Sequence, residues 1–321
     1  MKETDVPSYD VSAVGFLVID VLCRYADALP PPGGATFVDE ATMTVAGTAG
    51  ATAVDCAILG LKTQIAARVG RDAMGEFLIA DMQKRGLDTG LVQVDETVQT
   101  ATSLLPIRPD GSRAAFFVPG TSKTFRPSET DLAAILDAKI VHLGGTGLLD
   151  AFDGAPSVEM LRRAKALGRT TVFDLILANP ETTPKVLPLL EHIDYFVPSI
   201  HEAAAMSGAS DPADVARWFK DRGVGTAILT LEGDGVYVDP AEGDPFTLPS
   251  HRIDVVDTTG CGDSFTAGVI VGLCHGWDVR KTCRFANTVA AHVALGLGSQ
   301  GVLASFDATL EAMESWPLRA G

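Results

Sequence analysis

The sequence is poor in basic residues and in paired cysteines, and each shortage removes a class of function. Lys and Arg number 25 against 41 Asp and Glu, a formal charge of −16. That balance disfavours any broad surface for nucleic acid or anionic lipid. A polyanionic substrate would need a local positive site, such as a helix terminus or a bound cation. The five cysteines, Cys23, Cys56, Cys261, Cys274 and Cys283, are odd in number and form no Cys-x-x-Cys pair. Neither a disulfide framework nor a zinc site is expected, and a reducing cytoplasm is the default location. No apolar run is long enough to span a bilayer. Met1 to Tyr9 carries acids where a signal peptide would carry a basic region. No Gly-x-x-x-x-Gly-Lys-Ser/Thr occurs, which sets aside a P-loop kinase.

What is present is a globular composition, 46% hydrophobic and 21% charged over 321 residues, enough for one large α/β domain or two ordinary ones. Small-molecule chemistry fits it better than macromolecular binding. The chain is organised around Asp257-Thr258-Thr259-Gly260-Cys261-Gly262-Asp263-Ser264-Phe265, where a glycine-bearing loop runs into an apolar helical pattern. The glycines allow a sharp turn and close approach to a ligand. The first N–H groups of the helix have no partner within it and form an anion site. Asp263, inside that site, is positioned to take a proton from an attacking hydroxyl. Read alone, the same aspartate also serves as a helix cap.

The earlier chain adds candidates. Val11 to Asp20 is a near-continuous apolar run ending in an acid, the pattern of a strand buried on both faces of a parallel sheet. Asp20 then stands where such sheets place ligand contacts, or caps a turn. Pro30 to Gly34 is a turn, Thr36 to Val45 a strand, and Ala46 to Gly60 a small-residue stretch running into a helix. Gln64 to Val69 reads as a strand followed by a helix ending near Gly86, with Asp72 either its cap or a ligand group. Thr100 to Ile107 and Ala114 to Val118 flank Pro109-Asp110-Gly111-Ser112 as a β-hairpin. Arg108, Phe116 and Phe117 are its candidate substrate contacts. From Ser128 onward, helices over 128–136, 155–167 and 185–190 alternate with strands over 139–143, 170–174 and 195–197. Such alternation marks a parallel sheet covered by helices on both faces. Thr226 to Leu231 is a further strand leading into a glycine-rich turn, and helices follow over 263–275 and 279–295.

Asp257 to Asp263 resembles the signature of the ribokinase-like (PfkB) family of carbohydrate and nucleoside kinases. Other stretches, from about Val11 to Gly301, match that family in the expected order. The resemblance implies a three-layer α/β/α sandwich with a mostly parallel central sheet, forming a single domain over 1–321. A small β-sheet lid over about 22–45 and 98–120 would cover the acceptor and offer a homodimer contact. It implies ATP-dependent phosphorylation of a hydroxyl group, in particular a hydroxymethyl group, on a sugar or nucleoside. Asp263 would act as the base, and the backbone of Gly260, Cys261 and Gly262 would stabilise the transferring charge. Asp20, Gly47, Thr48 and Ala51 would face the acceptor. Ala46 and Ala51 depart from the family's usual glycine and asparagine, and Thr48, Thr52 or Asp55 could supply the missing polar contact.

Thr230, Gly233, Gly235 and Asn287 fall where the family holds ATP, although Glu232 stands at the expected first glycine. Glu202 matches the family's acid for Mg²⁺, held through water, with Ser199 in place of the usual asparagine. Asp257, Thr259 and Gly298 would lie near a monovalent cation such as K⁺. A non-catalytic sugar or nucleotide sensor is the alternative that the altered first signature leaves open. Three other patterns lead elsewhere and fail. Gly296 to Gly301 fits Gly-x-Gly-x-x-Gly but follows a helix, not a strand. Ser264 has only His275 and His292 after it, both inside helices, so a serine hydrolase lacks its base. His201 has no His or Cys neighbour at metal spacing and reads as a surface residue.

Overall fold

The computed structural model describes residues 6–26, 28, 30–109 and 112–319. Its strands are β1 Tyr9–Gly15, β2 Val18–Arg24, β3 Glu40–Ala46, β4 Thr63–Gly70, β5 Asp88–Asp95, β6 Thr102–Ile107, β7 Phe116–Val118, β8 Ala138–Gly144, β9 Thr170–Asp174, β10 Tyr195–Phe196, β11 Thr226–Thr230, β12 Val236–Asp239 and β13 Phe246–Leu248. The helices are α1 Gly50–Ile58, α2 Ala73–Lys84, α3 Glu129–Ile135, α4 Ala155–Ala166, α5 Thr183–Val186, α6 Ile200–Ser207, α7 Pro212–Lys220, α8 Cys261–Cys274, α9 Val279–Ala294 and α10 Phe306–Ser315. Among the described residues no helix is long and apolar enough to cross a membrane.

Among these residues the strands form a nine-stranded sheet, ordered β13-β12-β11-β10-β9-β8-β1-β4-β5, and a four-stranded sheet, ordered β3-β2-β6-β7. In the large sheet only the pairings of β12 with β11 and β13 are antiparallel. Its strands are short apolar runs because both faces are covered. Val14, Val141, Phe173 and Leu229 meet side chains of α3, α4, α6 and α7 on one face. On the other, Val11, Ile140, Val172 and Ile228 pack against α8 and α9, while Ala13, Ile65 and Val69 pack against α1 and α2. The three-layer arrangement with a separate small sheet is therefore as expected.

The order reverses at β1, which pairs with β8 on one side and β4 on the other. In open α/β sheets, the crevice beyond the strand ends at such a switch is where ligands bind.

The run from Val11 to Asp20 is not one strand. Gly15 takes φ +125°, and a side chain there would overlap the Gly144 carbonyl on the paired strand. The chain breaks at this glycine, leaves the large sheet and enters the small one as β2, so Asp20 sits within a strand of the small sheet. The expected helix over 185–190 is the short α5 followed by a 3₁₀ segment, Leu187–His192, with a proline at its start. The hairpin pairs β6 with β7 antiparallel; Asp110 and Gly111 of its turn lie outside the described residues. Asp72 caps α2, accepting from the Gly75 N–H at 2.8 Å, and also accepts from the Thr100 N–H at 2.8 Å, so its carboxylate is engaged in local structure. The sequence pattern predicts none of β5, β13, α6, α7 and α10. The first is a polar edge strand without a full apolar run.

Candidate active site

The loop before α8 is held from behind by a buried carboxylate. Asp257 has no exposed surface. Its Oδ1 accepts from the Thr259 N–H (2.9 Å) and hydroxyl (2.7 Å), and its Oδ2 accepts from the Gly298 N–H (2.9 Å). Asp257, Thr259 and Gly298 are thus brought together by hydrogen bonds. On the same side, Thr44 Oγ1, Ser299 Oγ and Gln300 Oε1 are buried and have no partner among the described residues. Gly260 takes φ +78°, and a Cβ there would come within 2.6 Å of the Ser299 Cα. Only glycine suits that position. The loop turns into α8 with no side chain capping its first N–H groups, so their partial positive charge faces outward. The Cys261 N–H donates to the Thr258 carbonyl at 3.3 Å, while Gly260 and Gly262 line the cavity in front of the helix.

That cavity has a volume of about 360 Å³ and is bordered by Asp20, Gly47, Thr48, Asp174, Glu202 and Asp263, with Arg113 as its sole basic side chain among the described lining residues. Asp263 is half-buried in the first turn of α8, with its carbonyl accepting from the Thr52 hydroxyl at 3.1 Å. Burial, followed by the nearby charges of Asp20 and Glu202, pushes its carboxyl up to about 7, against the pull of Arg113. Burial also pushes Asp20 up to about 6, while Ser103 and Arg113 hold it back. Glu202 is raised by burial, although Ser199 donates to its Oε2 from both its hydroxyl (2.6 Å) and its N–H (3.1 Å). The pair closes a capping box at the start of α6. Serine therefore performs a structural task at this position while leaving the acid on the cavity wall.

Gly47 takes φ +89°, and a Cβ there would lie 2.6 Å from the Phe16 carbonyl. The Thr48 carbonyl accepts from His142 Nε2 at 2.9 Å in the core, and burial holds that imidazole down to about 4, in its neutral form. Ala51 is fully buried inside α1 and lines neither this cavity nor its neighbour. Asp55 is likewise buried; its carboxyl oxygens have no partner among the described residues.

A second cavity, of about 720 Å³, continues from the first. The two share Ser199, Thr230, Thr258 and Gly262 on their walls. Gly233, Gly235, Asn287 and Cys261 face the second. Thr230 ends β11 where it bridges to Ser199. Gly235, at φ +103°, admits no side chain because the Leu248 carbonyl occupies that space. Asn287 Nδ2 donates to the Pro249 carbonyl at 3.2 Å, with Ala290, Ala291 and Ala294 of α9 beside it on the wall. Burial pushes the Cys261 thiol up to about 12, which favours the protonated form over the thiolate. His201 is exposed and faces Glu232 at 3.0 Å.

Two side chains of the first cavity escaped the pattern reading. Asp174 closes the apolar run of β9 and is buried. It accepts from the Thr266 hydroxyl at 3.0 Å, and burial with the neighbouring Asp263 and Glu202 raises its carboxyl well above the ordinary range. An acid ending an apolar strand, the same signal that singled out Asp20, marks it. Arg113, from the hairpin, reaches across to the Thr258 hydroxyl at 3.3 Å. No local signal distinguishes it from Arg108, which stays exposed on the hairpin beside Ser112. Among the described residues no cluster of three or more His, Cys, Asp or Glu has the arrangement of a protein-only metal site.

Comparison with known proteins gives a consistent set of matches. The model of the pfkB family carbohydrate kinases matches residues 9–304. The chain is 27% identical to the aminoimidazole riboside kinase of Salmonella typhimurium over 73% of its own length and 76% of that protein. It is also 27% identical to the ribokinase of Staphylococcus aureus over 79% and 81%, respectively. Among solved structures, the Arabidopsis thaliana ribokinase complexed with ribose and ATP superposes with a TM-score of 0.80 at 21% identity, covering 95% of this chain and 99% of that one. The ribokinase of Thermotoga maritima gives 0.78 at 22% identity, covering 94% and 99%.

Proposed function

The chain belongs to the pfkB family of carbohydrate kinases, and from that premise we propose that it transfers the terminal phosphoryl group of ATP to a hydroxymethyl group of a small sugar. The observation that supports this reading is that Asp263 lines the smaller cavity together with Asp20, Glu202 and the four wall residues that this cavity shares with the larger one. The smaller cavity, about 360 Å³, is at the low end of the range for ligand sites, roughly 300–1,000 Å³. Its size favours a monosaccharide over a nucleoside. Asp20 and the Gly47–Thr48 backbone would hold acceptor hydroxyls, Asp263 would orient the reacting hydroxyl and take its proton, and the Gly260 and Gly262 N–H groups would stabilise charge on the transferring group.

The larger cavity suits the nucleotide, with Thr230, Gly233 and Gly235 along one wall and Asn287 with its alanine neighbours along another. Mg²⁺, when bound, would neutralise phosphate charge. A hard, strongly hydrated ion needs few direct protein ligands, and Glu202 with Asp174 would hold its water shell. A monovalent cation such as K⁺ fits the unpartnered oxygens beside Gly298. The small sheet would act as the lid of a single catalytic unit. Its exposed Met43, Leu104 and Phe116, in register on one face, would form the contact of a homodimer, to be read by light scattering.

The deciding experiment is ADP release from Mg-ATP across a panel of sugars, sugar phosphates and nucleosides. Stimulation by one monosaccharide supports the reading. Stimulation by nucleosides alone replaces the acceptor, and ATP binding without stimulation by any acceptor overturns the sugar-kinase assignment.

A further inference from the structure

The segment after α10 returns to the larger cavity and adds a residue to its wall. Trp316 packs its ring against His292 at 4.5 Å and edge-on against His251 at 5.9 Å. The Pro317 carbonyl accepts from the Arg252 N–H at 2.8 Å, the Arg319 N–H donates to the Ser250 carbonyl at 2.9 Å, and His251 and Leu318 form an antiparallel bridge. These contacts fix the backbone of Arg319. Its Nη1 donates to the Gly233 carbonyl at 2.8 Å, the carbonyl that also accepts from the Ser250 hydroxyl. A side chain at position 233 would collide with this guanidinium. The bare Gly233 thus leaves room for an arginine from a segment 86 residues away, and any larger residue there would push the guanidinium aside.

A guanidinium carries five donors on a planar, delocalised cation, and the Gly233 carbonyl engages one of its nitrogens. Its anchor lies at the end of the cavity defined by Ser250 and Pro249, and Pro249 is the partner of Asn287. The same cavity is lined by Ala290, Ala291 and Ala294 of α9 and by Ile253 and Val255. An apolar slot with a planar cation at its edge is a setting for a flat, electron-rich ring.

We propose that Arg319 is a nucleotide-contact residue that covers the nucleobase and sets a preference for purine over pyrimidine nucleotides. This rests on the assignment of the larger cavity to ATP. The purine presents the larger ring surface to the guanidinium. The contact acts at the base end, away from Asp263, so it alters nucleotide affinity and leaves proton transfer untouched.

The test is calorimetric titration of the full chain with MgADP and with MgUDP, without acceptor. Arg319→Ala is expected to weaken MgADP about 3- to 5-fold, in line with an exposed cation–ring contact, and to reduce the margin over MgUDP. Arg319→Gln keeps a polar side chain, too short for the Gly233 carbonyl, and loses the planar cation, and is expected to behave like the alanine variant. Gly233→Ala, which displaces the guanidinium from the other side, should shift affinity in the same direction. If Arg319→Gln binds MgADP as tightly as the wild type, the guanidinium makes no contact that nucleotide binding depends on and the inference fails; equal binding by Arg319→Ala overturns it as well. A wild-type protein that binds neither nucleotide overturns the assignment of the cavity itself, and this inference with it. Unfolding temperatures of each variant separate lost contact from lost fold.

Discussion

The Asp257 carboxylate accepts a hydrogen bond from the Gly298 N–H at 2.9 Å, joining two loops 41 residues apart. With the bonds from Thr259, it fixes the back of the loop before α8 while Gly260 and Gly262 face the cavity. A buried acceptor with every bond in place makes such a loop rigid before any ligand arrives.

Asp257→Ala leaves the Gly298 and Thr259 N–H groups unpaired in a buried site, at about 1–3 kcal/mol for each unsatisfied group. Thermal unfolding is expected several degrees lower, and turnover at least 10-fold lower even at saturating nucleotide. A variant with wild-type turnover would show that the loop holds its shape without this carboxylate.

Asp263→Asn keeps the shape of the side chain and removes the proton acceptor. General-base contributions run at about 10²–10⁴-fold, so turnover should fall by about 10³-fold while MgADP affinity stays within a few-fold. Turnover within a few-fold of the wild type removes Asp263 from the role of base.

As the proposed base, Asp263 would work only when ionised. Because its carboxyl is pushed up to about 7, kcat/KM is expected to rise with pH through about 7 and then level. Arg113 lowers the carboxyls of both Asp20 and Asp263, so Arg113→Ala should move that rise to higher pH. Stability follows the opposite sign. Both carboxyls are raised above their unfolded values, so their contribution is complete below the ordinary carboxylate range and is lost as pH rises through about 6 and about 7. Asp263→Asn should flatten the upper part of this decline in a melting series from pH 5 to 8. An acid limb unmoved in Arg113→Ala would place the arginine too far from the base to matter.

Exchanging K⁺ for choline at constant ionic strength tests the cation site beside Gly298. Activation by K⁺ that disappears in Asp257→Ala is the expected result. Equal rates in both salts with the wild type would leave Thr44, Ser299 and Gln300 as structural oxygens only.

The alternation of strands and helices, the glycine-bearing loop and the acid at the start of α8 were legible along the chain, because these depend on local glycine geometry and short-range periodicity. The sequence also carried the family, through the residues of that same loop. Tertiary structure decided the rest. The run from Val11 to Asp20 reads as one strand because its apolar pattern never breaks; only the carbonyl of Gly144, facing Gly15 across a sheet pairing, shows why the chain turns away there. Ala51 sits in a stretch matching a ligand-binding segment, yet the helix turns it into the core. Arg113 and Arg319 carry no signal of their own, since a charged residue on a hairpin or after a final helix is ordinarily solvated. They reach the cavities through contacts 145 and 86 residues away in sequence, and such pairings exist only once the sheets and α8 have set the distance between them.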